Sequence, residues 1–412
     1  MLQRLVSKQN PMSRYSSFCI KWQVSLNTRR SSVAAFNEFL SCIRLNVQKL
    51  RLPANVHVLL GNEAADADSI VSSLTYAFIH TQLQPETLCV PVIPIYRNEL
   101  ILRCDVTALF QTLEVNTDAL VFVDEFPWDI IKSKVKVTLL DHNALSNKKI
   151  PALKGMQVVE IIDHHCDLGQ HIDAEKREIA FADGNALVAS TCTLVAERLK
   201  EVVYHNAHRM LSTMLLGVIA LDSINFDPGA KKVTPRDVKA AQNLEETAFA
   251  KKEELFKWLQ QEKFNPVHWD SFTLENCLQV DYKEFTFAKK VGISVVLVDL
   301  VAFVFKLKDA TALRKKLVVY CKQNDLAFLV VMTMFRTSHG KRHRQLLFFQ
   351  EIGDDAQHCV AFLKEEGSLL LDPFQLPETH RNEHMIAFNQ LNTGASRKQV
   401  APLVQRALAE LS

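Results

Sequence analysis

Glycine and proline are scarce, 11 and 13 of 412 residues, which excludes collagen-like and low-complexity chains. No excess of one charge is present: 48 Lys and Arg against 46 Asp and Glu leave a net +2. No bulk field therefore draws the chain to nucleic acid or to an acidic membrane, and any anion site is local. No apolar run approaches the roughly 20 residues of a membrane-spanning helix. The stretch Ile293–Phe305 is short and interrupted by Asp299, so no membrane insertion is expected. The nine cysteines form no C-x-x-C pair. They read as buried thiols in a reducing compartment, not as a disulfide framework or a zinc site.

Acids are missing altogether from residues 1–37, and the first is Glu38. The same stretch carries Arg4, Lys8, Arg14, Lys21, Arg29 and Arg30 among seven serines. A basic, Ser-rich and acid-poor leader has the composition of a transit peptide, with the mitochondrial matrix as destination. The alternative is a disordered basic tail on a cytoplasmic protein. Val33–Leu52 has apolar residues at helical spacing and is expected to begin the folded body.

Hydrophobic residues make up 48% and charged residues 23%, an ordinary globular balance, and the length predicts two to three domains. Short runs rich in Val, Leu and Ile predict strands at Val56–Leu60, Leu88–Ile95, Leu120–Asp124, Val135–Leu140 and Val158–Ile162. Pro91 and Pro94 push the second of these toward a sheet edge. Helices are expected at Ser69–Leu83, Cys192–Val203 and Met210–Ala220. This alternation predicts an α/β fold with a mainly parallel sheet flanked by helices. Ala240–Gln261 reads as one amphipathic helix, and Phe264–Trp269, with Pro266, as a linker. A second, smaller α/β unit follows, with strands in Phe285–Asp299, Ala327–Phe335 and Gln345–Gln350. Its helices are expected at Thr311–Asn324, Gln357–Glu366 and Ser396–Leu411. The boundaries so drawn are 1–37 for the leader, 38–265 for the first domain and 273–412 for the second.

Four acidic motifs follow apolar runs, where an α/β sheet places its active site. They are Gly61-Asn62-Glu63-Ala64-Ala65-Asp66-Ala67-Asp68-Ser69, Asp141-His142-Asn143, Asp163-His164-His165, and Asp222 at the end of Met214–Leu221. Any one of them has an ordinary structural use: Asp66 or Asp68 as a helix N-cap, Asp141 or Asp163 as a strand-end turn residue. Together they form a constellation. Carboxylates that converge without matching Arg or Lys repel one another, and divalent cations resolve that. Oxygen-rich ligands with one or two His suit Mn²⁺ or Mg²⁺.

These residues resemble the DHH phosphoesterase superfamily, in its exopolyphosphatase and family II inorganic pyrophosphatase branch, and within it the animal Prune group. The resemblance runs over about residues 50–412. Gly61–Ser69, Leu140–Asn143, Ile162–His165 and Ala220–Asp222 correspond to its first four motifs. Asp281–Phe285 and Ser396–Gln399 correspond to its phosphate-gripping segments. The resemblance implies a DHH domain followed by a smaller domain, with the active site in the cleft between them. It also implies two divalent cations on Asp66, Asp68, Asp141, His164 and Asp222, with Asp141 bridging. Asp163 would orient the neighbouring imidazole, while His165, Lys283, Arg397 and Lys398 would bind phosphate. Asp141, His164 and His165 would be the residues nearest the chemistry. Asn62 stands where the pyrophosphatases have His, making it a weak ligand at most and Mg²⁺ more suitable.

The activity implied is metal-dependent hydrolysis of phosphoanhydrides by a metal-bridging hydroxide, on short-chain polyphosphate or another small phosphate. The same resemblance offers a cyclic nucleotide phosphodiesterase, or a regulatory scaffold for nucleoside diphosphate kinase. Ser190-Thr191-Cys192-Thr193 at a helix start is expected to be a cap. The basic run Arg336–Arg344 is expected to be a solvated hairpin loop, with a track for a longer polyanion as its sharper use.

Overall fold

Six short runs in the first half of the chain pair into one sheet. The strands are β1 (Val56–Leu60), β2 (Leu88–Ile93), β3 (Val121–Phe122), β4 (Val135–Leu140), β5 (Gln157–Asp163) and β6 (Lys176–Ile179). Their order is β3-β2-β1-β4-β5-β6, every pairing parallel. The structure, a computed structural model, describes residues 22–410 apart from 24, 51–54, 132–134, 146–152, 154, 203–204, 231 and 337–340. Strand order reverses between β1 and β4. That is the switch point at which the carboxyl ends of parallel strands leave a crevice.

The helices of this unit are α1 (Leu26–Gln48), α2 (Ala67–Leu83), α3 (Cys104–Thr112), α4 (Trp128–Ile131), α5 (Thr191–Leu199), α6 (His208–Asp222), α7 (Pro235–Glu245) and α8 (Lys252–Lys263). α2 lies on β1 and β2 and packs against α5 and α6; α6 in turn meets α1, α7 and α8. Burial of α2 is nearly complete over Ala67–Ile79, which fixes the height at which its first turn meets the strand ends. A minor ribbon, β7 (Phe181–Ala182) with β8 (Asn185–Ala186), follows β6.

Several expectations change. α1 begins at Leu26, inside the acid-free leader, and buries Ser32, Val33 and Phe36. Trp22 and Gln23 belong with it: Gln23 N–H donates to Phe249 O at 2.6 Å, and Arg29 lies over the Trp22 ring at 4.3 Å. The part of the expected leader at residues 1–21 lies outside the described residues. β2 is not an edge strand, since β3 lies beyond it. Leu88 N–H donates to Asn55 O, so Leu88, Val90 and Val92 address β1, whereas Pro91 points toward β3. β3 begins pairing only at Val92, so the missing Pro N–H costs no ladder bond.

The helix expected over 240–261 is two helices. The chain turns inward between them to bury Phe249 completely, and Phe249 N–H donates to Thr213 Oγ1 at 2.8 Å. Tertiary burial here overrides helical propensity.

The chain divides between Lys263 and Phe264. The expected linker is folded: α9 (Pro266–Asp270) starts on an Asn265 cap with Pro at its first turn, where Pro is well tolerated. Trp269 is buried against Phe272, ring centroids 5.4 Å apart. The second unit continues with α10 (Leu274–Gln279), β9 (Tyr282–Thr286), β10 (Lys290–Val296), α11 (Leu300–Val304), α12 (Ala310–Gln323) and β11 (Phe328–Thr333). The hairpin β12 (Phe335–Arg336) and β13 (Arg342–His343) leads into β14 (Gln345–Phe349). α13 (Asp355–Glu366), β15 (Leu371–Pro373), β16 (Met385–Gln390) and α14 (Arg397–Ala409) complete the unit. The sheet runs β15-β16-β14-β11-β10-β9, with only β10 and β11 parallel.

Candidate active site

The first loop of the site leaves β1 through Gly61. A Cβ there would lie 2.1 Å from Ser69 Oγ and 3.0 Å from Ser69 O. Only glycine lets the strand end approach the first turn of α2 so closely. Asn62 turns its amide oxygen back into the loop, accepting from Ala64 N at 2.9 Å and Ala65 N at 3.1 Å. Ala65 itself is left-handed, at φ 46°. Arg103 clamps the loop from outside, its Nε donating to Ala64 O and Ala65 O at 2.9 and 3.1 Å. Asp66 then caps α2, accepting from Ser69 N at 3.1 Å, and Asp68 follows within the first turn, buried.

The second loop begins at Asp141, just past β4. Its backbone is left-handed, at φ 66°, and its carboxylate is buried. Asp tolerates that conformation better than most residues. The Asn62 amide donates to Asp141 Oδ2 at 2.6 Å, and Thr191 Oγ1 donates to Oδ1 at 3.2 Å. Asn62 therefore orients Asp141. Both backbone N–H groups claim its oxygen, which is thus not offered as the weak metal ligand expected from sequence.

The third loop carries Asp163-His164-His165 off the end of β5. Asp163 is fully buried. Its Oδ1 accepts from His164 N, His165 N and His165 Nδ1 at 2.8, 3.2 and 2.8 Å, and its Oδ2 from Asn143 Nδ2 at 2.6 Å. Burial works to raise its pKa, but the hydrogen bonds from His165 and Asn143 outweigh it and hold the carboxyl below its usual range. That same bond raises the His165 pKa. The imidazole Asp163 orients is thus His165, whose side chain stays 57% exposed. His164 is set by another group. Its Nδ1 faces Val188 O at 3.1 Å, which assigns the proton to Nδ1 and leaves the Nε2 lone pair free. Nε2 lies 3.3 Å from Asp141 Oδ1 and 3.6 Å from Asp68 Oδ2.

Asp68 is held by the N-terminus of α5. Its Oδ1 accepts from Ser190 Oγ at 2.7 Å and Cys192 N at 2.8 Å, and its Oδ2 from Thr191 N at 2.7 Å. Ser190 is the cap expected from sequence, and it also positions the acid. Asp222 is the last residue of α6. Its Oδ2 is buried and has no hydrogen-bond partner among the described residues. Dehydration, then the charges of Asp68 and Asp66, push the Asp222 and Asp141 carboxyls well above their usual range. Dehydration and Asp68 raise Asp66 as well. Lys263 feels this charge, but its ammonium pairs with Asp105 at 3.1 Å.

An orphaned buried carboxylate oxygen, four mutually repelling acids and one imidazole nitrogen fit divalent cations of the Mg²⁺ or Mn²⁺ class. Ligand atoms of Asp141, His164 and His165 also lie within 4.8 Å of one another.

Of the four expected phosphate residues, His165 stands in the first unit beside Asp163 and the other three gather in the second. Lys283 on β9 and Arg397 and Lys398 at the start of α14 line a cavity of about 530 Å³, with Arg344, Phe285 and Phe287. Lys283 and Lys398 are exposed. Arg397 is already partnered: it donates to Asp281 Oδ1 at 2.5 Å and to Asp281 O at 2.7 Å. That carboxylate is what lets an arginine sit at a helix N-terminus against the dipole.

Sequence reasoning missed Arg103, Val188 and the second use of Ser190 and Thr191. An ST-rich helix start was the only local signal.

Residues 57–221 match the DHH family, N-terminal domain, and residues 257–407 match the DHHA2 domain. Human exopolyphosphatase PRUNE1 is 33% identical over 385 residues, covering 90% of this chain and 79% of that protein. A putative exopolyphosphatase of Schizosaccharomyces pombe is 26% identical over 389 residues, covering 89% and 95%. Among solved structures, a putative family II inorganic pyrophosphatase of Methanococcus jannaschii is similar at a TM-score of 0.43 and 19% identity, covering 85% of this chain and 99% of that one. The chain belongs to the DHH family, in the form that joins a DHH domain to a DHHA2 domain, with the exopolyphosphatases named PRUNE1 among its relatives.

Proposed function

We propose that this protein is a divalent-metal-dependent hydrolase of phosphoanhydride bonds, acting on short-chain polyphosphate in the manner of an exopolyphosphatase or pyrophosphatase. The observation that carries this reading is the convergence of Asp66, Asp68, Asp141 and Asp222 with His164 Nε2, where dehydration and neighbouring carboxylate charge raise the pKa of Asp66, Asp141 and Asp222. The relatives named exopolyphosphatase support the substrate class. Those five residues would hold the divalent cations. When bound, the cations lower the pKa of coordinated water from 15.7 toward about 7 and offset phosphoryl charge.

The chain's own groups do the rest. Val188 O keeps the His164 proton on Nδ1, so Nε2 presents its lone pair to the acids. Asp163 orients His165 and favours its imidazolium, whose Nε2–H donates to a phosphate oxygen. The Asn62 amide and Thr191 hydroxyl hold the Asp141 carboxylate in place. A condensed phosphate carries further charge, and the second unit offers Lys283, Arg397 and Lys398 for it. With no imidazole at position 62, Mg²⁺ serves as well as Mn²⁺.

The test is turnover of tripolyphosphate, pyrophosphate, cyclic AMP and cyclic GMP with Mg²⁺ and Mn²⁺, in wild type and Asp141→Ala. Tripolyphosphate is expected to be cleaved fastest, and the variant to lose about 10²- to 10³-fold, the scale of a lost charge-stabilising group. Absence of turnover on all four would sink the reading and favour a scaffold that binds nucleoside diphosphate kinase. One observation favours the phosphodiesterase as a second reading: the Phe285 and Phe287 rings are stacked, 5.5 Å apart, in the wall of the basic cavity, a surface suited to a nucleobase.

The acid-free leader supports delivery to the mitochondrial matrix. Within that reading, the contacts of Trp22 and Gln23 with Phe249 favour a cleavage site before Trp22. N-terminal sequencing of the mature protein checks this; a start at Met1 or Leu2 would end the import reading.

A further inference from the structure

Arg344 closes the basic run read from sequence as a solvated hairpin loop. It stands between β13 and β14 and is 8% exposed. Guanidinium stays charged in proteins, and burying a charge is tolerated when a counter-charge meets it. Arg44, Arg97, Arg198, Arg236 and Arg314 each meet a glutamate. No carboxylate among the described residues meets Arg344. Its Nε donates to Thr393 O at 3.0 Å, and its Nη2 faces Met334 Sδ at 3.6 Å, a weak acceptor. Burial and the neighbouring Arg342 both work against its charge. The same side chain lines the cavity of Lys283, Arg397 and Lys398, where the Arg397 charge is already matched by Asp281. A buried fork of donors with one neutral anchor, facing a cavity rimmed by lysines, is complementary to an oxyanion.

We propose that Arg344 is a further phosphate-binding residue, gripping the non-bridging oxygens of a condensed phosphate bidentately in the cavity it shares with Lys283 and Lys398. The substrate identity rests on the proposed function; the anion site itself does not. A purely structural role, tying the loop at Thr393, is the competing account.

The test uses the full-length protein, Arg344→Gln and Arg344→Lys. Tripolyphosphate kinetics are read with calorimetric binding of methylenebisphosphonate, which is not hydrolysed, at saturating Mg²⁺. Melting temperature and Mn²⁺ affinity are read alongside. Arg344→Gln is expected to raise KM about 10- to 100-fold and weaken bisphosphonate binding comparably, the scale of a lost charge-assisted pair. Arg344→Lys recovers part of both, and Mn²⁺ affinity is unchanged. Unchanged KM and binding in folded Arg344→Gln would overturn the assignment. Should Arg344→Gln fail to fold, Arg344→Lys decides, because it keeps the charge and loses the fork. A several-fold rise in KM supports the grip, and an unchanged KM overturns it. Arg344-dependent bisphosphonate binding by a wild type that hydrolyses no phosphate would uphold this site while the proposed function falls.

Discussion

Asp222→Asn removes a charge from the acid cluster while keeping the side chain's shape. Asp222 Oδ2 is buried without a partner among the described residues, and the carboxyl pKa is raised well above its usual range by dehydration, then by Asp68 and Asp66. A carboxyl with a higher pKa folded than unfolded binds more protons in the folded state. Its contribution is therefore lost as pH rises from the ordinary value of about 4 toward the raised one, by up to about 1.4 kcal/mol per pH unit. Buried histidines act in the opposite sense. His57 is pushed down to about 3, and His80, His142 and His208 are also lowered, so their unfolded forms take up protons below about pH 6.5. Comparing variant with wild type at each pH cancels the histidines.

In chelated protein the stability advantage of Asp222→Asn is expected to widen with pH, each kcal/mol moving the melting transition by about 2–4 °C. Metal reverses the ranking. Wild type at 100 times Kd gains about 2.7 kcal/mol per cation, or roughly 5–10 °C on the same scale. The variant, one anionic ligand short, gains less. Differential scanning fluorimetry from pH 5 to 8, with chelator or with Mn²⁺, reads both effects. A variant advantage flat with pH, or equal metal stabilisation of the two proteins, would refute the reasoning.

Other outcomes follow from the same contacts. Thr191→Val removes the hydroxyl on Asp141 Oδ1 and should weaken Mn²⁺ binding about 10- to 100-fold by calorimetry, the usual cost of losing a group that orients a ligand. Ser190→Ala loses both the α5 cap and a donor to Asp68. A stability loss of about 1 kcal/mol on denaturant titration is expected together with weaker metal binding, and a stability loss alone would confine it to capping. Phe36→Ala should cost about 3–5 kcal/mol on urea titration, because its side chain is fully buried in the first core. A loss near zero would return α1 to the leader.

Much was legible because it is written locally. Val56–Leu60, Val135–Leu140 and Gln157–Asp163 are runs of Val, Ile and Leu long enough for one strand each, and every acidic motif of the site stands immediately past such a run or ends one. The helix at Ala67–Leu83 and the cap at Ser396 follow from residue spacing in the same way. Strand β6, Lys-Arg-Glu-Ile, has no apolar pattern; it is a strand through its pairing with β5, and its Glu178 meets Arg198 and Arg236 from later helices. Pro91 sits in an interior strand because its neighbour starts one residue further on. Ser190 reaches Asp68 across 122 residues, and Asn62 reaches Asp141 across 79. Period and composition act over a few residues, so they determined the strands and the candidate acids. Which amide steadies Asp141, which carbonyl sets His164, and whether Arg344 meets a counter-charge depend on chain segments far apart in sequence, and only packing brings those together.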